Sequence, residues 1–232
     1  MKTITPLTLL ALLIPYCCSA AEITPLGVAG NAAVDITPTE PVRLNGFGGR
    51  RLESAGIRQR LFARALAFGD TPENTTIILT VDTLGIPDDL AERVWQKIHR
   101  QIGIKRENLA LCATHTHSGP MIVGCANTLF GTAIPDDQWS RIVSYTAFLE
   151  ERLVAAAINA FHSQRPARLS WGIGSAGFAE NRRTPRGPTD HRLPILAVHS
   201  PDGILQTVLI SYACHCVTLS DNLISGDWAG YA

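Results

Sequence analysis

The stretch LALCATHTHSGP, at residues 109–120, combines a short apolar segment with two histidines and an abrupt stop. Residues 109–113 predict a buried strand, and the Ser-Gly-Pro sequence at 118–120 ends it. Because strand side chains alternate between faces, His115 and His117 would point to the same face, roughly 6–7 Å apart. That spacing suits two roles around one reacting centre, with one imidazole on a metal ion and the other on a substrate. A pair of polar residues at a solvated strand end is the alternative interpretation.

The sequence before this stretch predicts a β-α-β unit over residues 76–117. Residues 76–81 form a β-branched strand ending at Asp82, and a helix follows with Pro87 in its first turn and Gly103 as its stop. The two strands of such a unit are parallel, and ligands of these sheets gather beyond the carboxyl ends of the strands. Asp82 falls there as well, either as a turn residue or as an acceptor that orients a metal-bound imidazole.

The rest of the pattern predicts an α/β fold of mixed β-sheets flanked by helices, with catalytic residues at strand ends. Further strands are expected at residues 26–30, 33–36, 63–68, 167–173, 193–198 and 204–213, the last two as a hairpin. The glycine cluster at 46–49 predicts a plain loop. A second helix is expected at about residues 136–162, with these core contacts: Trp139, Ile142, Val143, Phe148, Leu149, Leu153 and Val154.

A third histidine, His215, lies between two cysteines at the expected end of the last strand. Strand alternation would put Cys214 and Cys216 on the face opposite His215. We therefore favour His215 as a metal ligand and the cysteines as core or disulfide residues. A Cys-His-Cys metal site is the alternative, and it would require the strand to break.

The amino terminus predicts export. Lys2, the apolar residues 9–14 and the small residues 18–21 make a signal peptide over residues 1–21, cleaved near Ala20 or Ala21, which places the protein outside the cell or in a periplasm. A lipid anchor on Cys17 or Cys18 is the weaker interpretation. Export would put the other four cysteines in an oxidising compartment, where three disulfide pairings are open to them.

Composition narrows the class of protein. The 232 residues are 46% hydrophobic, as in a globular domain, and Lys+Arg and Asp+Glu both number 20. The balanced charge gives no indication of a nucleic-acid partner. Oligomeric state stays open at this stage.

Several segments occur in an order that resembles the amino-terminal domain of the neutral/alkaline, non-lysosomal ceramidases. They are ATHTHSGP at 113–120, Asn181-Arg182, Cys214-His215 and ISGDWAGYA at 224–232, with VDITP at 34–38 and FARAL at 62–66 before them. The His-Thr-His-Ser-Gly-Pro block is the most specific of these. The resemblance covers nearly all of residues 22–232, which we expect to form the catalytic domain.

The resemblance implies a secreted, zinc-dependent amidohydrolase. His115 and His215 would bind the catalytic Zn²⁺, and His117 would face the substrate near the metal with Arg182 beside it. The implied substrate is a lipid-like amide, ceramide, which is split into a fatty acid and a sphingoid base, with peripheral contact to a membrane surface. A cation aimed at the developing oxyanion can contribute roughly 3 kcal/mol to such a reaction.

Two departures from the family pattern accompany this expectation. Two further family ligands, a glutamate and a tyrosine, would come from beyond Ala232, so we expect the chain to be a fragment truncated at its carboxyl end. Cys214-His-Cys216 stands where the family has small apolar residues and a proline. A hydrolase of another exported amide or ester on the same scaffold, and an inactive secreted binding domain, are the alternative functions.

Overall fold

The computed structural model describes residues 22–23 and 27–232. The expected signal peptide at residues 1–21 lies outside the described residues, as does Leu26 of the first expected strand. Among the described helices, none combines the length and the apolar composition that crossing a bilayer requires.

Ten strands and three α-helices make up the described fold. The strands are β1 (Glu22–Ile23), β2 (Gly27–Asp35), β3 (Gly56–Ile57), β4 (Phe62–Phe68), β5 (Thr76–Val81), β6 (Leu109–Ala113), β7 (Arg165–Ser175), β8 (Arg192–His199), β9 (Leu205–Ile210) and β10 (Leu223–Ile224). The helices are α1 (Asp88–Ile102), α2 (Asp136–His162) and α3 (Asp227–Tyr231).

The strands form one large mixed sheet and one small one. The large sheet has eight strands in the order β6-β5-β4-β2-β7-β8-β9, with β1 paired to β7. Strands β5 and β6 are parallel, as the β-α-β unit predicts, and the other pairs of this sheet are antiparallel. The small sheet pairs β10 with β3 in parallel. The expected mixed α/β architecture with flanking helices is therefore confirmed.

Helix α1 has the boundaries and the buried stripe that its sequence predicts. Asp88 and Asp89 occupy the first turn, where negative charge is favourable, and Pro87 directly precedes the helix in an extended conformation. Gly103 ends it with a left-handed backbone (φ 75°) and donates its N–H to the His99 carbonyl at 2.8 Å. The buried residues, spaced four apart, are Leu90, Val94, Ile98 and Ile102.

Helix α2 covers the sheet, lying against β2, β4 and β5 with α1 beside it. Of its expected core contacts, Ile142, Leu149, Leu153 and Val154 are buried, and Trp139 and Phe148 pack partly buried against the core. Val143 was wrongly expected in the core, since its side chain is 46% exposed. It lies on the face of the helix that points away from the sheet.

Strand structure does not reach the histidines. Strand β6 covers the predicted apolar segment 109–113, but the alternation expected to continue to His117 stops at Ala113, because the parallel pairing with β5 ends at the Val81 partner. Strand β9 stops at Ile210 rather than continuing to residue 213. The next residue of the neighbouring strand is Pro194, which accepts a hydrogen bond from Ser211 but has no N–H to return one. Both histidine segments are therefore loops that follow strands.

Candidate metal centre

His115 is positioned by a backbone turn directly after β6. Its φ is 62°, a left-handed conformation that breaks the strand alternation on which the sequence argument relied. Its Nδ1 lies 2.7 Å from the carbonyl oxygen of Leu84, in the loop that follows β5. Because a carbonyl only accepts, Nδ1 carries the proton and Nε2 presents its lone pair. This is the arrangement in which a histidine binds a metal ion.

His117 is fixed through its backbone and its ring. Its N–H donates to the Cys216 carbonyl at 3.1 Å, and its own carbonyl accepts a hydrogen bond from the guanidinium of Arg50. The Phe47 ring packs edge-on against the imidazole at 5.1 Å between centroids. The backbone of Gly46 lies so close that an added Cβ would be 2.5 Å from the imidazole Cγ. The glycine loop therefore forms one wall of the site.

His215 reaches the same place from the irregular segment after β9. The segment that follows it is held by the buried carboxylate of Asp227, which accepts hydrogen bonds from the Thr218 hydroxyl at 2.6 Å and the Leu219 N–H at 2.9 Å. Asp227 also accepts from the Trp228 N–H at 2.7 Å, which secures the start of α3. Asp227 therefore supports the start of this helix.

The three imidazoles form one group, which we call the histidine cluster. Nε2 of His117 lies 3.4 Å from Nε2 of His115 and 2.8 Å from Nε2 of His215. One ligand nitrogen from each ring falls within 4.8 Å of the others, so the group could hold a metal ion. Two nitrogens on a tetrahedral zinc at about 2.0–2.1 Å are about 3.3–3.4 Å apart, which matches the first distance. The 2.8 Å distance between Nε2 of His117 and Nε2 of His215 is that of a hydrogen bond.

The electrostatics of the cluster favour neutral imidazoles. Burial, together with the positive charge that His215 and His115 can carry, lowers the pKa of His117 to about 4. Burial, followed by the charges of Arg182 and His115, also lowers the pKa of His215. Both rings are therefore neutral at pH 7, and neutral imidazole is the form that binds zinc. The donor set thus fits the expected metal.

Arg182 lies in the exposed loop that follows β7. Its positive charge is one of the causes that lower the pKa values of His117 and His215. Its expected role beside His117 stays a prediction. The structure thus brings together the three histidines named from the sequence, although it does not separate the metal ligands from the substrate-facing imidazole.

Asp82 does not orient an imidazole. Its buried carboxylate accepts from the Phe62 N–H at 2.9 Å and pairs with Arg64 at 3.1 Å, while the Leu84 carbonyl takes the role of acceptor for His115. Burial raises the pKa of Asp82, and the Arg64 charge partly opposes this effect. Asp82 is therefore a turn residue that ties the end of β5 to β4.

The cysteines around His215 do not join it. Cys112, Cys125, Cys214 and Cys216 are free thiols, so none of the three possible disulfide pairings is present among the described residues. The metal-capable group contains His215 and neither Cys214 nor Cys216. Cys216 is buried, as a core residue is, whereas Cys214 is only half-buried. The strand-alternation argument for these cysteines does not apply, because residues 211–216 are not a strand.

Sequence reasoning missed the contribution of the loop at residues 46–50. Arg50 is 9% exposed, and its guanidinium donates to the carbonyls of Asn45 at 2.6 Å and Asp221 at 2.8 Å as well as to that of His117. Only the glycine cluster signalled this loop, and glycine clusters are common in loops without function. The contact with His117 is 67 residues distant in sequence and depends on the tertiary fold.

A mixed sheet flanked by helices, with loops that bring three imidazoles together, defines a protein of the α/β class whose histidine cluster could hold a metal ion. The model of the family described as "Neutral/alkaline non-lysosomal ceramidase, N-terminal" matches residues 28–232. The chain belongs to this family, as its motifs indicated.

Individual relatives agree with this assignment. Neutral ceramidase A and neutral ceramidase B of Dictyostelium discoideum are 24% and 25% identical to the chain, and each match covers 88% of the chain and 30% of the relative. The crystal structure of neutral ceramidase from Pseudomonas aeruginosa superimposes with a TM-score of 0.73 at 23% identity, covering 90% of this chain and 35% of that one. A structure named "Ceramidase complexed with C2" gives the same TM-score and identity, covering 89% and 34%. The chain therefore spans about a third of the length of these relatives and shares their fold.

Proposed function

We propose that this chain carries the metal centre of a secreted, zinc-dependent amidohydrolase of the ceramidase type. The reaction is hydrolysis of the amide of an N-acylsphingosine to a fatty acid and a sphingoid base. One observation carries the proposal: three histidines from two distant segments meet in one group that could hold a metal ion, in a chain of the neutral ceramidase family. The names of the relatives support the amide substrate.

His115 and His215 are assigned to hold the zinc ion. The Leu84 carbonyl fixes the tautomer of His115, so that its Nε2 lone pair faces the centre of the cluster. When bound, zinc with an open coordination position supplies a hydroxide nucleophile at neutral pH and polarises the amide carbonyl. A catalytic zinc site has three protein ligands, so either His117 or a residue elsewhere in the protein completes the set.

His117 and Arg182 are assigned to the substrate. A neutral His117 can donate its Nε2 proton to the scissile carbonyl, and its low pKa keeps it from competing as a cation with the metal. The Arg182 guanidinium can stabilise the negative charge that develops on the carbonyl oxygen.

Zinc content tests the assignment directly. We expect about one zinc per chain in the native protein, and loss of zinc in His115→Ala and His215→Ala. His117→Ala should keep zinc and lose turnover of N-acylsphingosine, whereas loss of zinc would make His117 a third ligand. His162→Ala, at the end of α2, is the matched control and should change neither quantity. A native protein without zinc, and unaffected by His115→Ala, would instead favour a secreted binding domain.

Substrate comparison separates the ceramidase proposal from a hydrolase of another amide or ester. Turnover should be higher with N-acylsphingosine than with shorter N-acyl amides or with esters of the same acyl chain. Equal or higher turnover of those substrates would indicate that the protein hydrolyses another exported amide or ester.

Export is part of the proposal and is supported by the signal-like residues 1–21. Amino-terminal sequencing of the mature protein should begin at about residue 21 or 22. A mature protein that retains Lys2 and the apolar segment would contradict export by this route.

A further inference from the structure

Thr116 stands between the two histidines of the motif, and its side chain is completely buried. Its hydroxyl donates a hydrogen bond to the Ser225 carbonyl at 2.8 Å and accepts one from the Ser118 N–H at 3.2 Å. The Ser225 N–H in turn donates to the Ser118 carbonyl at 3.0 Å. Two hydrogen bonds therefore join the loop that carries His115 and His117 to Ser225, and the Thr116 hydroxyl makes one of them.

Residues 225–227, which we call the bridging segment, are held firmly by their own contacts. The Gln59 side-chain oxygen accepts from the Ser225 hydroxyl at 3.2 Å and from the Gly226 N–H at 3.0 Å. The Ser225 hydroxyl also accepts from the Asp227 N–H at 3.0 Å, and both Ser225 and Asp227 are completely buried. The bridging segment is therefore a fixed support for the loops bonded to it.

The other end of the bridging segment holds the loop that carries His215. The Asp227 carboxylate accepts from Thr218 and Leu219, which follow His215 by three and four residues. The Cys216 carbonyl, next to His215, accepts from the His117 N–H at 3.1 Å. The hydrogen bonds thus form a closed circuit through the two histidine loops and the bridging segment.

The backbone of His115 needs such support. Its φ of 62° is left-handed, which is uncommon for a residue with a Cβ and persists where surrounding contacts hold it. Thr116 directly follows this turn, so its hydrogen bond to Ser225 acts on the backbone that orients the His115 ring.

We propose that Thr116 is a positioning residue of the metal centre, and that its hydroxyl, through the bridging segment, sets the distance of His115 and His117 from His215. Without the hydroxyl, the Ser225 carbonyl loses this donor and the turn at His115 can relax. Loss of a group that orients metal ligands typically weakens metal binding by roughly 10–100-fold. The inference deepens the proposed function and rests on it, since it takes the cluster to be a zinc site.

Metal affinity tests the proposal without requiring turnover. Zn²⁺ and Co²⁺ would be titrated into the metal-free native protein and its variants, with the visible absorption of Co²⁺ reporting the coordination geometry. Thr116→Val keeps the shape of the side chain and removes the hydroxyl. It should weaken Zn²⁺ binding about tenfold or more and change the Co²⁺ spectrum.

Thr116→Ser separates the hydroxyl from the methyl group. It keeps the hydrogen-bonding group, so its Zn²⁺ affinity and Co²⁺ spectrum should stay close to those of the native protein. Equal losses of affinity in Thr116→Val and Thr116→Ser would assign the effect to packing and overturn the proposal. Native Zn²⁺ affinity in Thr116→Val would also overturn it.

Thr146 on α2 provides a matched control. It is 5% exposed, and its hydroxyl makes the same pair of bonds, donating to the Ile142 carbonyl at 2.7 Å and accepting from the Val123 N–H at 3.0 Å. Thr146→Val should lose stability in urea denaturation and keep native Zn²⁺ affinity. If it weakened Zn²⁺ binding as much as Thr116→Val does, the effect would be a general loss of stability and the proposal would be wrong.

Hydrolysis of N-acylsphingosine separates this inference from the proposed function. Zn²⁺ affinity that depends on the Thr116 hydroxyl, in a protein that hydrolyses no amide, would contradict the hydrolase and uphold the positioning role. A native protein that hydrolyses N-acylsphingosine, with the same Zn²⁺ affinity in Thr116→Val, would uphold the hydrolase and contradict the positioning role. A native protein that binds neither ion would overturn both.

Discussion

At the scale of single residues, the backbone of Gly46 decides where His117 can lie. Gly46 has a φ of +92°, which is costly for any residue with a Cβ, and it packs directly on the imidazole. Gly49, in the same loop, has no atom within 4 Å of an added Cβ and does not have a positive φ. A comparison of alanine variants at these two positions therefore separates the effect of close packing on His117 from that of a lost glycine in the loop.

We expect Gly46→Ala to destabilise the protein by about 1–3 kcal/mol and to weaken zinc binding, because the added methyl group displaces the His117 ring. Urea denaturation and zinc titration would measure the two effects. Gly49→Ala should leave both quantities close to their native values. A Gly46→Ala protein with native zinc affinity would show that the glycine loop does not constrain the cluster.

Arg50 is the second residue on which the site depends. Its guanidinium joins three loops through backbone carbonyls, at Asn45, His117 and Asp221, and lies 4.7 Å from the centre of the Phe47 ring. In the described structure it has no carboxylate partner in an ion pair. Its charge is stabilised by carbonyl dipoles and by the aromatic face.

Arg50→Met should lower the free energy of unfolding by about 2–4 kcal/mol. Three backbone carbonyls lose a charged hydrogen-bond donor, and a carbonyl oxygen that stays buried without a donor is unfavourable. Arg51→Met is the matched control, since Arg51 is exposed and its guanidinium donates to the Gly48 and Arg50 carbonyls of its own loop. Urea denaturation of the two variants gives the comparison. Equal stability losses would assign the effect to the loop rather than to the buried guanidinium.

At the scale of elements, one carboxylate joins the two long helices. Glu150 on α2 accepts from Arg93 at 2.8 Å and pairs with Lys97 at 2.6 Å, both on α1, and its side chain is 10% exposed. Burial alone would raise the pKa of Glu150, but the hydrogen bonds and charges of Lys97 and Arg93 outweigh it, so the pKa lies below its usual value.

Glu150→Gln should destabilise the protein by about 1–3 kcal/mol at pH 7, because two charge-assisted hydrogen bonds are lost. A carboxylate with a depressed pKa contributes its full stability above its usual pKa and loses it as pH falls through the folded value. The native and Glu150→Gln unfolding curves should therefore converge at acidic pH. Glu151→Gln, at a site that is 67% exposed, is the control with a smaller expected loss. A difference that persists unchanged into acid would contradict the role of the charge.

Local sequence pattern predicted the boundaries of some helices and strands and not of others. Helices α1 and α2 and strand β5 match their predicted boundaries because a periodic apolar face and local stop residues are encoded within the element itself. The end of β9 does not match, and neither does the strand alternation that was expected to continue from β6 to His117. Those ends depend on where a neighbouring strand stops offering hydrogen bonds, at Val81 and at Pro194, and a single strand's sequence does not contain this information.

At the scale of the whole molecule, the four described cysteines differ in access. Cys112 is exposed, whereas Cys125 and Cys216 are buried and Cys214 is half-buried. Burial raises the pKa of Cys125, and it raises that of Cys216 to about 12. Thiolate formation is therefore suppressed at the buried positions, and the thiolate is the reactive form.

Among the four described cysteines, a thiol reagent should react rapidly with Cys112 alone in the folded protein, and with all four after denaturation. Cys112→Ser should remove the rapid reaction alone. Incomplete reaction of these four cysteines after denaturation would indicate either a disulfide or a bound metal. The first result would support a disulfide pairing, and the second would support the Cys-His-Cys metal site.

The sequence by itself determined the family, the β-α-β unit, the two long helices and the identity of the clustered histidines, because motif spacing and side-chain periodicity are properties of the chain read in order. Only the tertiary structure decided that His117 and His215, 98 residues apart, lie within hydrogen-bond distance. It also decided that Gly46 and Arg50 form a wall of the site. Those contacts depend on how loops from separate strands meet in space, and the backbone turn at His115 shows that strand alternation cannot be extended past the last paired residue.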